Sequence, residues 1–193
     1  MKKVSIILGH QHAGSFNHAI AELAKKTLEK NGHEVRYHDL YAENFDAILP
    51  HEEIGGPIND PLVQRHLDEI AEADGILIVH PNWWAMPPAI LKGWIDRVMR
   101  QGVAYRFENG APKGLLKAEH ALVFTTSNTP KDVELKWFGD PLENLWTTCI
   151  LTYCGAKNVK RTNYESVIMS SAEQRSGWLA DVEAQVQAAF PAE

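Results

Sequence analysis

The amino-acid sequence predicts an α/β fold in which a five-stranded parallel sheet, in the order 2-1-3-4-5, carries helices on both faces. Three observations support it. Short β-branched apolar runs alternate with longer segments of helical period. Proline or Asp-Pro opens several of those segments and glycine closes them. Residues 75–80 (Gly-Ile-Leu-Ile-Val-His) are apolar in both alternating sets, as a strand covered on both faces requires. Right-handed crossovers then leave few ways to lay the chain down.

Residues 4–8 (Val-Ser-Ile-Ile-Leu) form the first buried strand. Residues 17–30 place Ala19, Ile20, Leu23, Ala24 and Leu28 on one helical face, with Gly32 positioned to stop the helix. Residues 34–38 are the second strand. Residues 41–59, with Asn44, Pro50, Gly55, Gly56 and Pro57, are a long loop. Asp60-Pro61 supplies a cap and a first-turn proline for a helix through Leu62, Val63, Leu67, Ile70 and Ala71. The central strand 75–80 follows, then a third helix from Pro88 to about Arg100 and a fourth strand over 121–125. Asp140-Pro141 opens a helix carrying Leu142, Leu145, Trp146, Cys149, Ile150 and Tyr153, which ends at Gly155. A fifth strand over 158–164 and a closing helix over 171–190, with Trp178, Leu179, Val182 and Val186 inward, complete the alternation.

At 193 residues, 45% hydrophobic and 23% charged, the chain suits one domain over 1–193 that builds its own core without metal or disulfide. Cys149 and Cys154, five apart, match no zinc, redox or secreted-scaffold spacing and are expected to be buried thiols. No apolar run approaches the roughly 18 residues of a membrane span, and the N-terminal apolar stretch is too short for a signal peptide, so a cytoplasmic location is expected. A net charge of −6, with the 19 Lys and Arg scattered, argues against nucleic acid or an anionic membrane as partner. Six tryptophans are more than the apolar pattern asks for, and suggest that some face a planar ligand.

The sheet order reverses between strands 1 and 3, where ligands of such folds bind outside the strand ends. The loops over 9–17, 80–88 and 125–140 should therefore converge on one site. The first, Gly9-His10-Gln11-His12-Ala13-Gly14-Ser15-Phe16-Asn17, runs into a helix whose N-terminal N–H groups suit an anion, with His10 as an added donor. It is neither a GxGxxG fingerprint nor a Walker loop. Ser15 and Asn17 also read as plain helix caps. No carboxylate or cysteine is expected to join His10, His12 and His18, and a His-x-His pair after a strand reads as a polar loop, so no metal is expected. In the second loop, Asn82-Trp83-Trp84-Ala85-Met86, neighbouring tryptophans point in opposite directions, which leaves one for a ligand or for packing. Backbone amides from Trp83 to Met86 are candidates for the edge of a flat ring. The third loop, Thr125-Thr126-Ser127-Asn128-Thr129-Pro130, offers hydroxyls and an amide to a heterocycle, or simply caps a strand.

The stretch Pro88-Ala89-Ile90-Leu91-Lys92-Gly93-Trp94-Ile95-Asp96-Arg97-Val98, preceded by His80-Pro81-Asn82-Trp83-Trp84 and followed by Gly102-Val103-Ala104-Tyr105, resembles the NAD(P)H:quinone oxidoreductase family of flavodoxin-like flavoproteins. That family includes DT-diaphorase and the bacterial potassium-efflux ancillary reductases. The resemblance implies that His10, Gly14, Ser15, Phe16 and Asn17 bind the flavin phosphate and ribityl chain. It further implies that Asn82, Trp83, Trp84 and Ala85 line the isoalloxazine, with Thr125, Thr126, Ser127 and Asn128 at the ring edge. Ser127 and Asn128 stand where the family has two glycines, and no catalytic side chain can be aligned over 129–139. The implied activity is that of an NAD(P)H dehydrogenase (quinone), passing two electrons as hydride from NAD(P)H through bound flavin to a quinone by a ping-pong mechanism. FMN is expected over FAD, since family members that hold an adenosine use further C-terminal sequence and this one ends at Glu193. A homodimer is implied, with Tyr105, Phe107, Trp137 and Phe138 as interface aromatics. A regulatory subunit of a potassium-efflux-type membrane transporter and a flavodoxin-type electron carrier are the alternatives. The carrier calls for a hydroxyl-rich phosphate loop and a strongly acidic face, where this chain has His10, Phe16 and a charge of only −6.

Overall fold

The computed structural model describes residues 1–192. In chain order the elements begin β1 (Lys3–Leu8), α1 (Phe16–Lys30), β2 (Glu34–Asp39), α2 (Pro61–Glu72), β3 (Gly75–Pro81) and α3 (Ala89–Val98). They continue with β4 (Tyr105–Glu108), β5 (Ala111–Gly114), β6 (His120–Thr126), α4 (Lys131–Phe138), α5 (Pro141–Asn144), β7 (Asn158–Tyr164) and α6 (Ala172–Ala189). The main sheet runs β2-β1-β3-β6-β7, all neighbours parallel, which is the predicted 2-1-3-4-5 counted over its own strands.

Alternation along each strand divides the core into two apolar layers. Ile6, Leu8, Leu77 and Phe124 pack under α1 and α6 with Ile20, Leu28, Val182 and Phe190. Ile7, Ile78 and Val123 face the opposite way, against Leu67, Ile70, Leu91, Trp94 and Trp146. Each such aliphatic side chain stabilises the fold by roughly 1.5–3 kcal/mol relative to exposure. All seven residues of β3 are buried, as a central parallel strand predicts. Ser15 caps α1, the Asp60 carboxylate accepts from the Leu62 and Val63 amides at the start of α2, and Ser171 forms a capping box with Gln174 at α6.

Four expectations are corrected. Residues 105–114 form a two-stranded hairpin, turned at Asn109-Gly110 with φ of 52° and 80°, the Asn-Gly signal of a primed turn. Residues 131–138, expected to lie in a loop, are the helix α4, stopped at Gly139 with φ 68°; exposed Trp137 and Phe138 are therefore helical. The helix opened by Asp140-Pro141 keeps α geometry for four residues and widens to a π-helical turn over Leu145–Ile150. The Trp146 Nε1–H on that turn donates to His80 Nε2 at 2.8 Å. Cys154 is buried, but Cys149 is exposed, because the wider turn rotates it off the packed face.

The 41–59 loop is held by the α3 motif. Gly93 meets the backbone of Ala47 so closely that an added Cβ would lie 2.1 Å from the Ala47 carbonyl oxygen. Arg97, 2% exposed, donates from Nη2 to both Glu53 carboxylate oxygens at 3.0 and 2.9 Å and from Nη1 to the Asp46 carbonyl at 2.8 Å. Trp94 Nε1–H donates to His66 Nδ1 at 3.0 Å, so the neutral His66 ring carries its proton at Nε2, toward Glu43. His38, Glu43 and His66 have metal-ligand spacing, but a ring proton at Nε2 occupies the nitrogen a metal would need, and the trio is a polar pin for the loop.

Candidate functional site

The C-terminal ends of β1, β3 and β6 meet where the sheet reverses, and Gly9 N–H donating to the Val79 carbonyl at 2.9 Å fixes the first loop against the second. There a cavity of about 550 Å³ opens, lined by His10, His12, Ser15, Phe16 and Asn17 from the first loop and Pro81, Asn82 and Trp83 from the second. Thr126, Ser127 and Asn128 line it from the third loop, and Val167 and Ile168 complete the wall. A larger cavity, about 700 Å³, lies between Leu49, Glu53 and Tyr105 and the end of α3; it touches none of these strand-end loops. The smaller one is the candidate site, because three loops bring unpaired polar groups to it.

At the head of α1 the Phe16 and Asn17 N–H groups have no partner within the described chain, as the first turn of a helix requires. Ser15 Oγ accepts from the His18 N–H at 3.3 Å and lies 2.9 Å from His18 Nδ1, while His18 Nε2 lies 2.9 Å from Asp39 Oδ2 at the end of β2. His10 Nδ1 accepts from the His12 N–H at 3.1 Å, so its neutral ring carries the proton on Nε2. Burial, and then His18 beside it, pushes the His10 imidazole below the ordinary histidine value. Asn17 is buried; its Nδ2 donates to Thr126 Oγ1 at 2.9 Å, and its Oδ1 is buried without a partner. A buried acceptor without a partner calls for an explanation, and a ligand hydroxyl is one that fits a polar cavity.

The second loop is a tight turn. Trp83 and Met86 exchange both backbone hydrogen bonds at 3.0 Å, and Trp84 and Ala85 at its tip have φ of 56° and 58°, both left-handed. Non-glycine residues there cost about 1–2 kcal/mol each. The turn consumes the Trp83 and Met86 amides expected at a ring edge, leaving those of Trp84 and Ala85 unpaired. Trp83 borders the cavity, whereas Trp84, 98% exposed, points away from it. Asn82 is fixed by its N–H to the Thr126 carbonyl at 2.7 Å and by Nδ2 to Glu134 Oε1 at 3.3 Å. Glu134 is buried on α4, and taking 131–138 as a loop concealed it.

In the third loop, Thr126 faces the cavity and Thr125 faces β7, donating to Asn163 Oδ1 at 2.9 Å. Thr125, Gly14, Trp84 and Ala85 thus lie outside the lining, and the other nine predicted positions lie on it. The Ser127 hydroxyl and the Asn128 amide make contacts that glycines cannot, and the Ser127 main chain adds a third. Asn163 Nδ2 donates to Ser127 Oγ, the Val167 N–H to the Ser127 carbonyl, and the Ile168 N–H to Asn128 Oδ1. These contacts draw the Val167–Met169 turn over one side of the cavity, a wall that the sequence reading did not include.

Residues 2–188 match a family described as having a flavodoxin-like fold. An uncharacterized NAD(P)H oxidoreductase of Haemophilus influenzae is 40% identical over 80% of this chain and 79% of its own length. The human ribosyldihydronicotinamide dehydrogenase [quinone] is 32% identical over 93% of this chain and 88% of its own. Among solved structures, an NAD(P)H:quinone oxidoreductase from Methanothermobacter marburgensis superposes with a TM-score of 0.83 at 26% identity, over 96% of this chain and 98% of that one.

Proposed function

The chain belongs to this flavodoxin-like family and is an oxidoreductase, and on that premise we propose that it is a single-domain FMN-dependent enzyme reducing quinones with NAD(P)H by a ping-pong mechanism. The observation that carries the reading is the strand-end cavity with free helix-start amides at one end and the orphaned Asn17 Oδ1 in its wall. Bound flavin supplies two-electron chemistry, taking hydride from a reduced nicotinamide and delivering it to a quinone.

The residues supply position and electrostatics. The Phe16 and Asn17 amides and His10 Nε2–H meet the phosphate, helped by the positive end of α1. Gly14, exposed beside them, keeps the approach to those amides slim. Asn17 Oδ1 and Thr126 meet ribityl hydroxyls. Asn82, held by Glu134, and Trp83 would border the flat ring. Ser127 and Asn128 close the ring edge through the turn they tether, while Thr125 orients Asn163 behind them. A terminal phosphate monoester matches the compact cradle of amides and histidine, which favours FMN.

Phe107 and Trp137 are exposed aromatics of the kind a second copy would cover; light scattering at twice the chain mass tests that dimer. No helix among the described residues is long and apolar enough to cross a membrane. The direct test of activity is NAD(P)H oxidation by purified protein with and without a benzoquinone. Quinone-dependent oxidation that requires added or retained FMN supports the proposal, and its absence from FMN-loaded protein overturns it.

A further inference from the structure

A phosphate dianion in this cavity meets an unusual set of partners: among the described residues no lysine or arginine lines the wall. Positive charge must come from a histidine or from helix-start amides alone. His10 is poorly placed for this, since burial and neighbouring His18 already disfavour its charged form.

Hydrogen-bond bookkeeping around His18 gives a second route. Asp39 Oδ1 accepts from the Tyr41 and Ala42 amides at 3.1 and 3.2 Å, which fixes the carboxylate with Oδ2 toward His18 Nε2. A carboxylate only accepts, so Nε2 holds a proton. With the ring neutral, Nδ1 is a lone pair, and the 2.9 Å contact requires Ser15 Oγ–H to donate to it. Ser15 then spends its one hydrogen on His18 and shows the cavity no donor. With the ring charged, Nδ1–H donates to Ser15 Oγ, which also accepts from the His18 N–H, and the serine hydrogen is released.

We propose that His18 is a positioning residue for a phosphate monoester: when the dianion binds, His18 takes up one proton at Nδ1 from the buffered solvent, whose acid form is converted to its base, and turns Ser15 into a hydrogen-bond donor to the phosphate. Asp39 supplies the counter-charge for the imidazolium. The other titratable groups near His18 are His10, at a ring-centroid distance of 6.1 Å, His12 in the same loop, and Glu22 one turn along α1, which is engaged with Tyr37 of β2. The added proton cancels one of the two phosphate charges where no lysine or arginine is available to do so. The relay rests on the flavin-phosphate reading of this loop.

The test compares FMN with riboflavin, which lacks the phosphate, on full-length wild type, His18→Gln and Asp39→Asn. Dissociation constants are read from flavin fluorescence between about pH 6 and 8. Linkage of one proton makes wild-type FMN binding weaken with rising pH by up to about tenfold per unit relative to His18→Gln, where the phosphate's own titration is shared and cancels. Riboflavin shows no such difference between the proteins. Asp39→Asn, which keeps the ring, weakens FMN but not riboflavin. Calorimetry of wild type in buffers of different ionisation enthalpy reports proton uptake with FMN and none with riboflavin, independently of whether any variant folds. FMN binding with the same pH dependence in wild type and His18→Gln, or without proton uptake, overturns the relay and leaves the flavin reading standing. A wild type that binds neither flavin overturns both.

Discussion

Replacing Glu53 by leucine is expected to be among the most damaging single changes outside the sheet. Arg97 is 2% exposed and makes three of its hydrogen bonds to Glu53, through Nε at 3.3 Å and Nη2 at 3.0 and 2.9 Å. What remains is the Asp46 carbonyl at 2.8 Å and two longer ion pairs, to Asp60 Oδ2 at 3.5 Å and to Asp46 Oδ2 at 3.7 Å. Removing the close partner leaves a buried charge that only these two longer pairs offset, and breaking such a buried pair costs up to about 3–5 kcal/mol. For a chain of this length that lowers Tm by roughly 6–20 °C, at about 2–4 °C per kcal/mol. Urea and thermal unfolding of wild type and Glu53→Leu give the number, and limited proteolysis within 41–59 shows whether the loop detaches first. Adding Arg97→Met to Glu53→Leu should recover most of the loss, because the buried charge is then gone. A loss under about 1 kcal/mol in Glu53→Leu, or a double variant no better than the single, refutes the claim that this pair pins the loop.

His10→Ala should weaken FMN binding by roughly ten- to a hundredfold, the worth of a hydrogen bond to a charged group at about 1.5–3 kcal/mol, while leaving turnover of the flavin-loaded fraction nearly unchanged. Equal affinity would remove His10 from the phosphate site. Ala85→Gly relieves a φ of 58° worth about 1–2 kcal/mol, offset by about 0.5–1 kcal/mol of unfolded-chain entropy. Stability should therefore change little or rise, and a loss above about 1 kcal/mol would show that the turn is unstrained. His80, fully buried, accepts from Trp146 and is pushed down to about 4, mainly by burial. The unfolded chain then binds the proton first, so stability is full above about pH 6.5 and falls toward pH 4 by about 3 kcal/mol. His80→Gln should flatten that part of the pH–stability curve, and a curve as steep as wild type would assign the acid sensitivity elsewhere.

The five strands of the main sheet were legible because each is a short apolar run, and the order followed from crossover handedness. The hairpin's signal, Asn109-Gly110 between Phe107 and Ala111, was present but lies inside a connection between a helix and a strand, where the alternating pattern left no place for it. Helix α4 spans only eight residues and ends in exposed Trp137 and Phe138, so it carries no apolar stripe to read. At the site, the three loops could be chosen from topology, but side-chain direction could not. Thr125 and Thr126 are equivalent in composition and opposite in orientation, and only the pleat decides which faces the cavity. For Trp83-Trp84 the alternation argument supposed an extended segment, whereas the pair sits in a tight turn with Trp84 at φ 56° and neither ring is buried in the core. Contacts such as Glu134 to Asn82 or Asp39 to His18 join residues far apart in sequence, and no local pattern announces them.

The central claim is that this cavity holds a flavin that exchanges electrons between NAD(P)H and a quinone. Its most direct measurement is the visible absorbance of the purified, FMN-reconstituted protein under anaerobic conditions. The account predicts protein-bound oxidised-flavin bands that bleach on stoichiometric NADH or NADPH and return on adding a benzoquinone, with flavin binding lost in a His10→Ala, Asn17→Leu double variant. A protein that retains no flavin after reconstitution, or whose bound flavin is not bleached by either nicotinamide, would contradict it.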